Sequence, residues 1–150
     1  MPAEEGIDDV HYVAAAATTL AHRYGIGTGH VYGLGHSNGA MMLQRVVCEA
    51  GVFEGIVAVA GPLNLAESSC PAARGRQVLA VHGEEDANVP VSGGVGPRGI
   101  SHVAFQSEAH SQALMRGAGC GVLPAAVGTI RSLFQIRHQC PGAGLDDGPI

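Results

Sequence analysis

Ser37 stands between two glycines at equal spacing, in the run Gly35-His36-Ser37-Asn38-Gly39. A serine in that setting suits nucleophilic attack at an acyl carbon. A strand that turns abruptly into a helix strains the serine backbone, and glycines two residues before and after keep the turn free of clashes. The hydroxyl then stands clear of the sheet at the positive end of the helix. There the amide of Asn38 can donate to an oxyanion. The bare pattern is weak, because a chain with 23 glycines matches it by chance about once in five such sequences. Its flanks carry the weight. Val31-Tyr32-Gly33-Leu34 is an apolar run directly before it, and Ala40-Met41-Met42-Leu43-Gln44-Arg45 forms helix directly after. The plain alternative is a structural Gly-Ser turn. Of Met41 and Met42, one is expected to pack beneath the helix and the other to line an acyl pocket.

Such a serine needs a base, and the base needs an acid to orient it, in the chain order serine, acid, histidine. An acid belongs after a later strand. Val78-Leu79-Ala80-Val81-His82-Gly83 reads as that strand, with Glu84, Glu85 and Asp86 following and Val89-Pro90 closing the loop. Asp86 is the candidate, with Glu84 and Glu85 as alternatives and a solvated acidic turn as the plain reading. His82 reads as a strand-end residue that shapes the loop. His138 follows the run Leu133-Phe134-Gln135-Ile136 and is the candidate base. A histidine beside a strand end is often structural, so His138 is the weakest member of the three. His102 and His110 fall on or near a helix and read as surface residues. His36 cannot serve its own neighbour.

Elements that could hold these residues alternate along the chain. Residues 7–24 repeat Val10, Val13, Ala14, Ala17 and Ala21 at helical spacing behind the acidic pair Asp8-Asp9. Residues 30–34 read as a buried strand, 38–50 as a helix, 55–59 as a second strand and 64–76 as a loop or short lid. Residues 77–82 read as a third strand, 93–99 as a loop, 101–117 as a helix capped by Ser101, and 129–136 as a last strand. This alternation predicts an α/β fold with a mainly parallel sheet of about four strands. With 150 residues and no internal repeat, residues 1–150 form a single domain.

Composition narrows the function classes. The net charge of −5 is spread along the chain with no basic stripe, which argues against a nucleic-acid partner. No apolar stretch approaches the ~20 residues of a membrane span. Residues 1–9 are acidic and lack the basic-then-apolar order of a secretion signal. Residues 1–9 therefore give no secretion address, which leaves the cytoplasm as the default expectation and the localisation open. Cys48, Cys70, Cys120 and Cys140 form no C-x-x-C pair and have no zinc-ligand spacing with histidine, so no metal is expected. They read as four plain thiols, with a Cys48–Cys70 disulfide as the alternative because the two flank one strand. Gly94-Val95-Gly96-Pro97-Arg98-Gly99 fits a dinucleotide fingerprint, but it does not follow a strand directly and Pro97 sits where amides should face phosphate.

The segment from Val31 to Met42, with Ser37-Asn38-Gly39-Ala40-Met41-Met42 inside it, resembles the nucleophile turn of polyhydroxybutyrate depolymerase-like and feruloyl-esterase-like α/β-hydrolases. Val57-Ala58-Val59-Ala60-Gly61 and Val81-His82-Gly83-Glu84-Glu85-Asp86 with Val89-Pro90 match in order and spacing, so the resemblance covers about residues 7–120. It implies a partial α/β-hydrolase fold, a three-layer sandwich. It implies carboxylic-ester hydrolysis through an acyl-enzyme with Ser37 as nucleophile, Asp86 orienting the base and the Asn38 amide in the oxyanion hole. No cofactor is needed, and the substrate is a small-molecule or polymeric ester. Related proteins include secreted ones. The family carries several strands before the point where this chain starts, and one of the oxyanion amides belongs to them. His138-Gln139-Cys140-Pro141-Gly142 is similar to the family's His-x-Trp-Pro-Gly segment, while residues 144–148 match nothing in it. These departures imply a truncated chain, and a second expectation: a non-catalytic hydrolase-like domain that binds a ligand or partner. The sheet edge left exposed would suit self-association.

Overall fold

The computed structural model describes residues 7–65, 69–98, 103–117, 121–123 and 133–139. Helix α1 covers Asp9–Arg23, with the Asp8 side chain accepting from the His11 amide at 2.9 Å. Asp8 therefore caps one orphan amide, and Asp9 stands in the first turn at the positive end of the helix, as their position in the sequence indicates. Strand β1 is Tyr32–His36, helix α2 is Asn38–Glu49, β2 is Gly55–Val59 and β3 is Gln77–Gly83. Helix α3 is Glu108–Gly117, followed by β4 (Gly121–Leu123) and β5 (Leu133–Gln139).

The sheet has five strands in the order β1-β2-β3-β5-β4. β1, β2 and β3 run parallel, with Gly33, Ile56 and Val78 in one register row and Gly35, Ala58 and Ala80 in the next. These rows face the helices: a side chain added at Gly33 would meet the Leu43 methyls of α2 at 3.0 Å. The core gathers there, from Val46 and Val47 of α2, Ile56, Ala58 and Val78 of the sheet, and Leu114 and Met115 of α3. Helix α1 packs on α2 through Val10, Val13 and Ala17. On the other face of β1, Tyr32 is 65% and Leu34 78% exposed.

Several expectations change. The three parallel strands and their helices give the α/β arrangement, but the sheet has five strands rather than about four, and β5 pairs antiparallel with β3 and with β4. Alternation along a strand says which residues share a face, not which way the strand runs. β4 has three residues, too few for alternation to show. Among the described residues the helices cover one face of the sheet, so two layers are seen, not three. The last strand lies at Leu133–Gln139; residues 129–132 lie outside the described residues. Helix α3 starts at Glu108, seven residues later than expected, because Ser107 caps it by accepting the His110 amide at 3.1 Å. Phe105 is meanwhile held in a bridge to Gly94. Ser101, His102, Cys120 and Cys140 lie outside the described residues.

Cys48 and Cys70 form a disulfide that ties the end of α2 to the loop before β3. This is the alternative of the sequence reading rather than the plain-thiol one. No helix among the described residues is long and apolar enough to cross a membrane.

Candidate functional site

Ser37 has φ 53° and ψ −121°, a region that side-chain-bearing residues rarely occupy. The strain is imposed from three sides. The Ser37 amide donates to the Val59 carbonyl at 2.8 Å, which holds the turn against β2. The Ser37 carbonyl accepts from the Ala40 and Met41 amides at 3.0 and 3.1 Å, which starts α2. A side chain on Gly35 would strike the Gly39 carbonyl at 2.5 Å, and one on Gly61 would overlap the Ser37 carbonyl itself. Gly35 thus has the steric role the sequence suggests. Gly39 does not: a Cβ there meets nothing within 4 Å. The glycine that the sequence motif omits, Gly61, carries the second close approach.

Ser37 precedes α2 without capping it through its side chain, and no described residue hydrogen-bonds its hydroxyl. Asn38 and Gly39 supply the first two amides of α2, which helix geometry leaves without intrahelical acceptors. An oxygen developing negative charge beside Ser37 would meet the positive end of α2. Met41 is buried beside Gly61, and Met42 packs half-buried against the core.

Asp86 lies beyond the same end of the sheet. His36, Val59 and Val81 are level in the register, so Ser37 and the loop after β3 share the carboxyl edge of the parallel strands. They stand two strand spacings apart, about 10 Å. The Asp86 side chain is not a solvated turn residue. Its Oδ1 accepts from the Asn88 amide at 2.8 Å and the Val89 amide at 3.0 Å, leaving Oδ2 toward His82 at 3.7 Å. Glu84 and Glu85 are exposed and make no such contacts.

His82 is 1% exposed and more than a strand end. Its Nε2–H donates to the Val89 carbonyl at 2.8 Å, and its Nδ1 lies 2.7 Å from Glu108 Oε1. Burial lowers its pKa, but the Glu108 hydrogen bond, the Val89 carbonyl and the charges of Glu108 and Asp86 outweigh that. The net shift is upward from 6.5. With both ring nitrogens engaged, His82 is closed to Ser37. Glu108 is the residue that sequence reasoning missed. It opens α3, is 3% exposed, and its Oε2 is buried without a hydrogen-bond partner among the described residues. With the helix expected over residues 101–117, Glu108 falls in its middle, and nothing in the pattern marks it as buried.

His138 is not brought to Ser37. It lies inside β5, not after it, and pairs with Val78 near the start of β3. Its backbone therefore sits about 10 Å along the sheet from the Val81 level, and three strand spacings, about 14 Å, from β1. The antiparallel direction of β5 is the physical reason: it turns the end of the strand away from the serine. Among the described residues, no histidine hydrogen-bonds Ser37. His110 is half-buried, not a surface residue, and its Nε2 donates to the Leu65 carbonyl at 3.0 Å. Around the Gly-rich run, Gly96 packs against the Ala87 and Asn88 carbonyls and the Arg98 amide donates to Ala87 at 2.9 Å. That run braces the Asp86 loop.

No group of three or more metal-ligating side chains is found among the described residues. Comparison of the chain with protein-family models, with curated proteins and with solved structures gives no match.

Proposed function

We propose that this chain is a serine-dependent carboxylic ester hydrolase domain of the α/β-hydrolase kind, acting through an acyl-enzyme. The observation that carries the proposal is the backbone of Ser37: a side-chain-bearing residue at φ 53° on a strand-to-helix turn, its hydroxyl unbound and the first amides of α2 beside it. Strain of this kind costs about 1–3 kcal/mol and persists where function uses it. In the proposed reaction the Ser37 oxygen bonds to the ester carbonyl carbon and its proton passes to a base. The carbonyl oxygen takes the negative charge and is held by the Asn38 amide. The alcohol leaves with the proton, and water then cleaves the acyl-serine bond. Asp86 is the acid in this scheme. The resemblance of the Ser37–Met42 run points to hydroxyalkanoate or feruloyl-type esters as substrates. The Cys48–Cys70 disulfide suits an oxidising compartment.

A second reading has its own observation. The pairing of His138 with Val78 leaves the serine without the base expected for it, which favours a hydrolase-like domain that binds an acyl ligand or a partner without turning it over. One experiment separates the two. The folded protein is treated with a fluorophosphonate probe, and the mass of the Ser37 peptide is compared with that of Ser37→Ala. Labelling at Ser37 that the variant loses supports the hydrolase. Absence of labelling, or labelling unchanged in Ser37→Ala, rejects it. His138→Ala tested on p-nitrophenyl butyrate then shows whether that histidine takes part.

A further inference from the structure

A buried ion pair is a poor way to fill space. Two well-packed apolar side chains in place of His82 and Glu108 would avoid the desolvation cost of both charges. They would also avoid a Glu108 Oε2 that is buried with no hydrogen-bond partner among the described residues. What the pair supplies beyond volume is a set of hydrogen bonds with direction. The Val89 carbonyl only accepts, so His82 Nε2 carries a proton. Glu108, if ionised, also only accepts, so Nδ1 carries the second. A continuous chain results: Glu108 Oε1 accepts from His82, His82 donates to the Val89 carbonyl, and the Val89 amide donates to Asp86 Oδ1. The Val89 backbone is thus gripped on both sides of its Cα, at its amide and at its carbonyl. Glu108 also anchors the far side of the loop, its amide donating to the Val91 carbonyl at 3.0 Å. The charged groups facing His82 are Glu108 from α3 and Asp86 from the loop, and both are acidic.

We infer that His82 and Glu108 are positioning residues: His82, protonated on both nitrogens between Glu108 and Val89, fixes the loop that carries Asp86. This rests on the reading of Asp86 as the acid partner of the Ser37 site. The clamp acts from the buried side of the sheet. It holds the Asp86 carboxylate at the carboxyl edge with Oδ1 taken by two amides, while Oδ2, 3.7 Å from His82, makes no hydrogen bond among the described residues. A neutral His82 has one N–H and can keep only one of the two bonds, so the loop is released when the second proton leaves.

The test compares the wild-type protein with Glu108→Gln, which keeps the shape and removes the charge. Nitrogen-15 NMR of the imidazole reads the protonation of His82, and amide hydrogen exchange reads the loop. The wild type shows both His82 nitrogens protonated at pH 7. Glu108→Gln loses the second proton, and the Asn88 and Val89 amides exchange about tenfold faster, while Ile56 and Ala58 in the core are unchanged. A neutral His82 in the wild type overturns the inference. So does unchanged exchange at Asn88 and Val89, or an equal rise at Ile56 and Ala58, which would mark a merely structural pair. If Glu108→Gln does not fold, a pH titration of the wild type decides alone. The Asn88 and Val89 amide shifts must then move in step with His82, and those of Ile56 must not. None of these readouts depends on Ser37. If the fluorophosphonate labels Ser37, Glu108→Gln slows that labelling about tenfold, and equal rates overturn the positioning role. Labelling of neither protein counts against the nucleophile only, and leaves the NMR result to decide the clamp.

Discussion

Gly61, just past β2, lies against the carbonyl of Ser37, just past β1, with no room for a side chain between them. That carbonyl already accepts two amides from the first turn of α2. It cannot retreat without unwinding the helix start. Gly61→Ala is therefore expected to destabilise the protein by about 1–3 kcal/mol, the cost of overpacking a close contact. Gly39→Ala is expected to stay within about 0.5 kcal/mol of the wild type, since its Cβ would meet nothing within 4 Å. Urea unfolding of both variants checks the contrast. The reverse order would mean that the turn is built around Gly39.

Replacing the strained serine by glycine separates stability from chemistry. Ser37→Gly should gain about 1 kcal/mol, because relief of a positive φ exceeds the added entropy of the unfolded chain. The same variant loses the fluorophosphonate label. A fall in the urea midpoint would show that the backbone at Ser37 is relaxed.

The disulfide closes a loop with a sequence separation of 22 residues. Chain-entropy reasoning assigns such a link about 3 kcal/mol. Dithiothreitol, or the double change Cys48→Ala with Cys70→Ala, should lower the thermal midpoint by several degrees. An unchanged midpoint would mean that α2 and the loop before β3 hold together without the covalent bond.

The pH dependence of stability follows from His82. Its pKa is raised in the folded protein above 6.5, so the folded state holds the proton more tightly than the unfolded state does. The stabilisation is complete below pH 6.5 and is lost as pH rises through the higher folded-state value. Urea midpoints measured from pH 6 upward should decline in the wild type and flatten in His82→Gln. A wild-type midpoint that rises across this range in a His82-dependent way contradicts the assigned sign.

The open face of β1 gives a surface prediction. Leu34, 78% exposed, should accept Leu34→Ser with a change within about 0.5 kcal/mol. A loss of 2 kcal/mol or more, the mark of a buried leucine, would reveal that something covers this face in solution.

Local features were the legible ones. The turn and helix after Ser37 and the β2 span Gly55–Val59 are dictated by neighbouring residues, and the structure agrees there; the strand before Ser37 lies at Tyr32–His36 rather than 30–34, and it exposes Tyr32 and Leu34 rather than being buried. Long-range relations were not legible. His82 and Glu108 are 26 residues apart; the first read as a strand end, and the second fell unremarked inside the helix expected over 101–117. The role of Gly61 was not legible either, because its contact with Ser37 exists only once β1 and β2 are paired. The direction of β5 decided the fate of His138, and direction is a property of pairing rather than of the seven residues in the strand.

The Cys48–Cys70 link also makes a closed ring of chain with β2 inside it. A protease that cuts anywhere from residue 49 to residue 69 leaves the Ser37-bearing and Asp86-bearing pieces covalently joined. Such nicked protein would migrate as one band without reductant and as two with it. It would keep both halves of the carboxyl edge together even after the backbone between them has been severed.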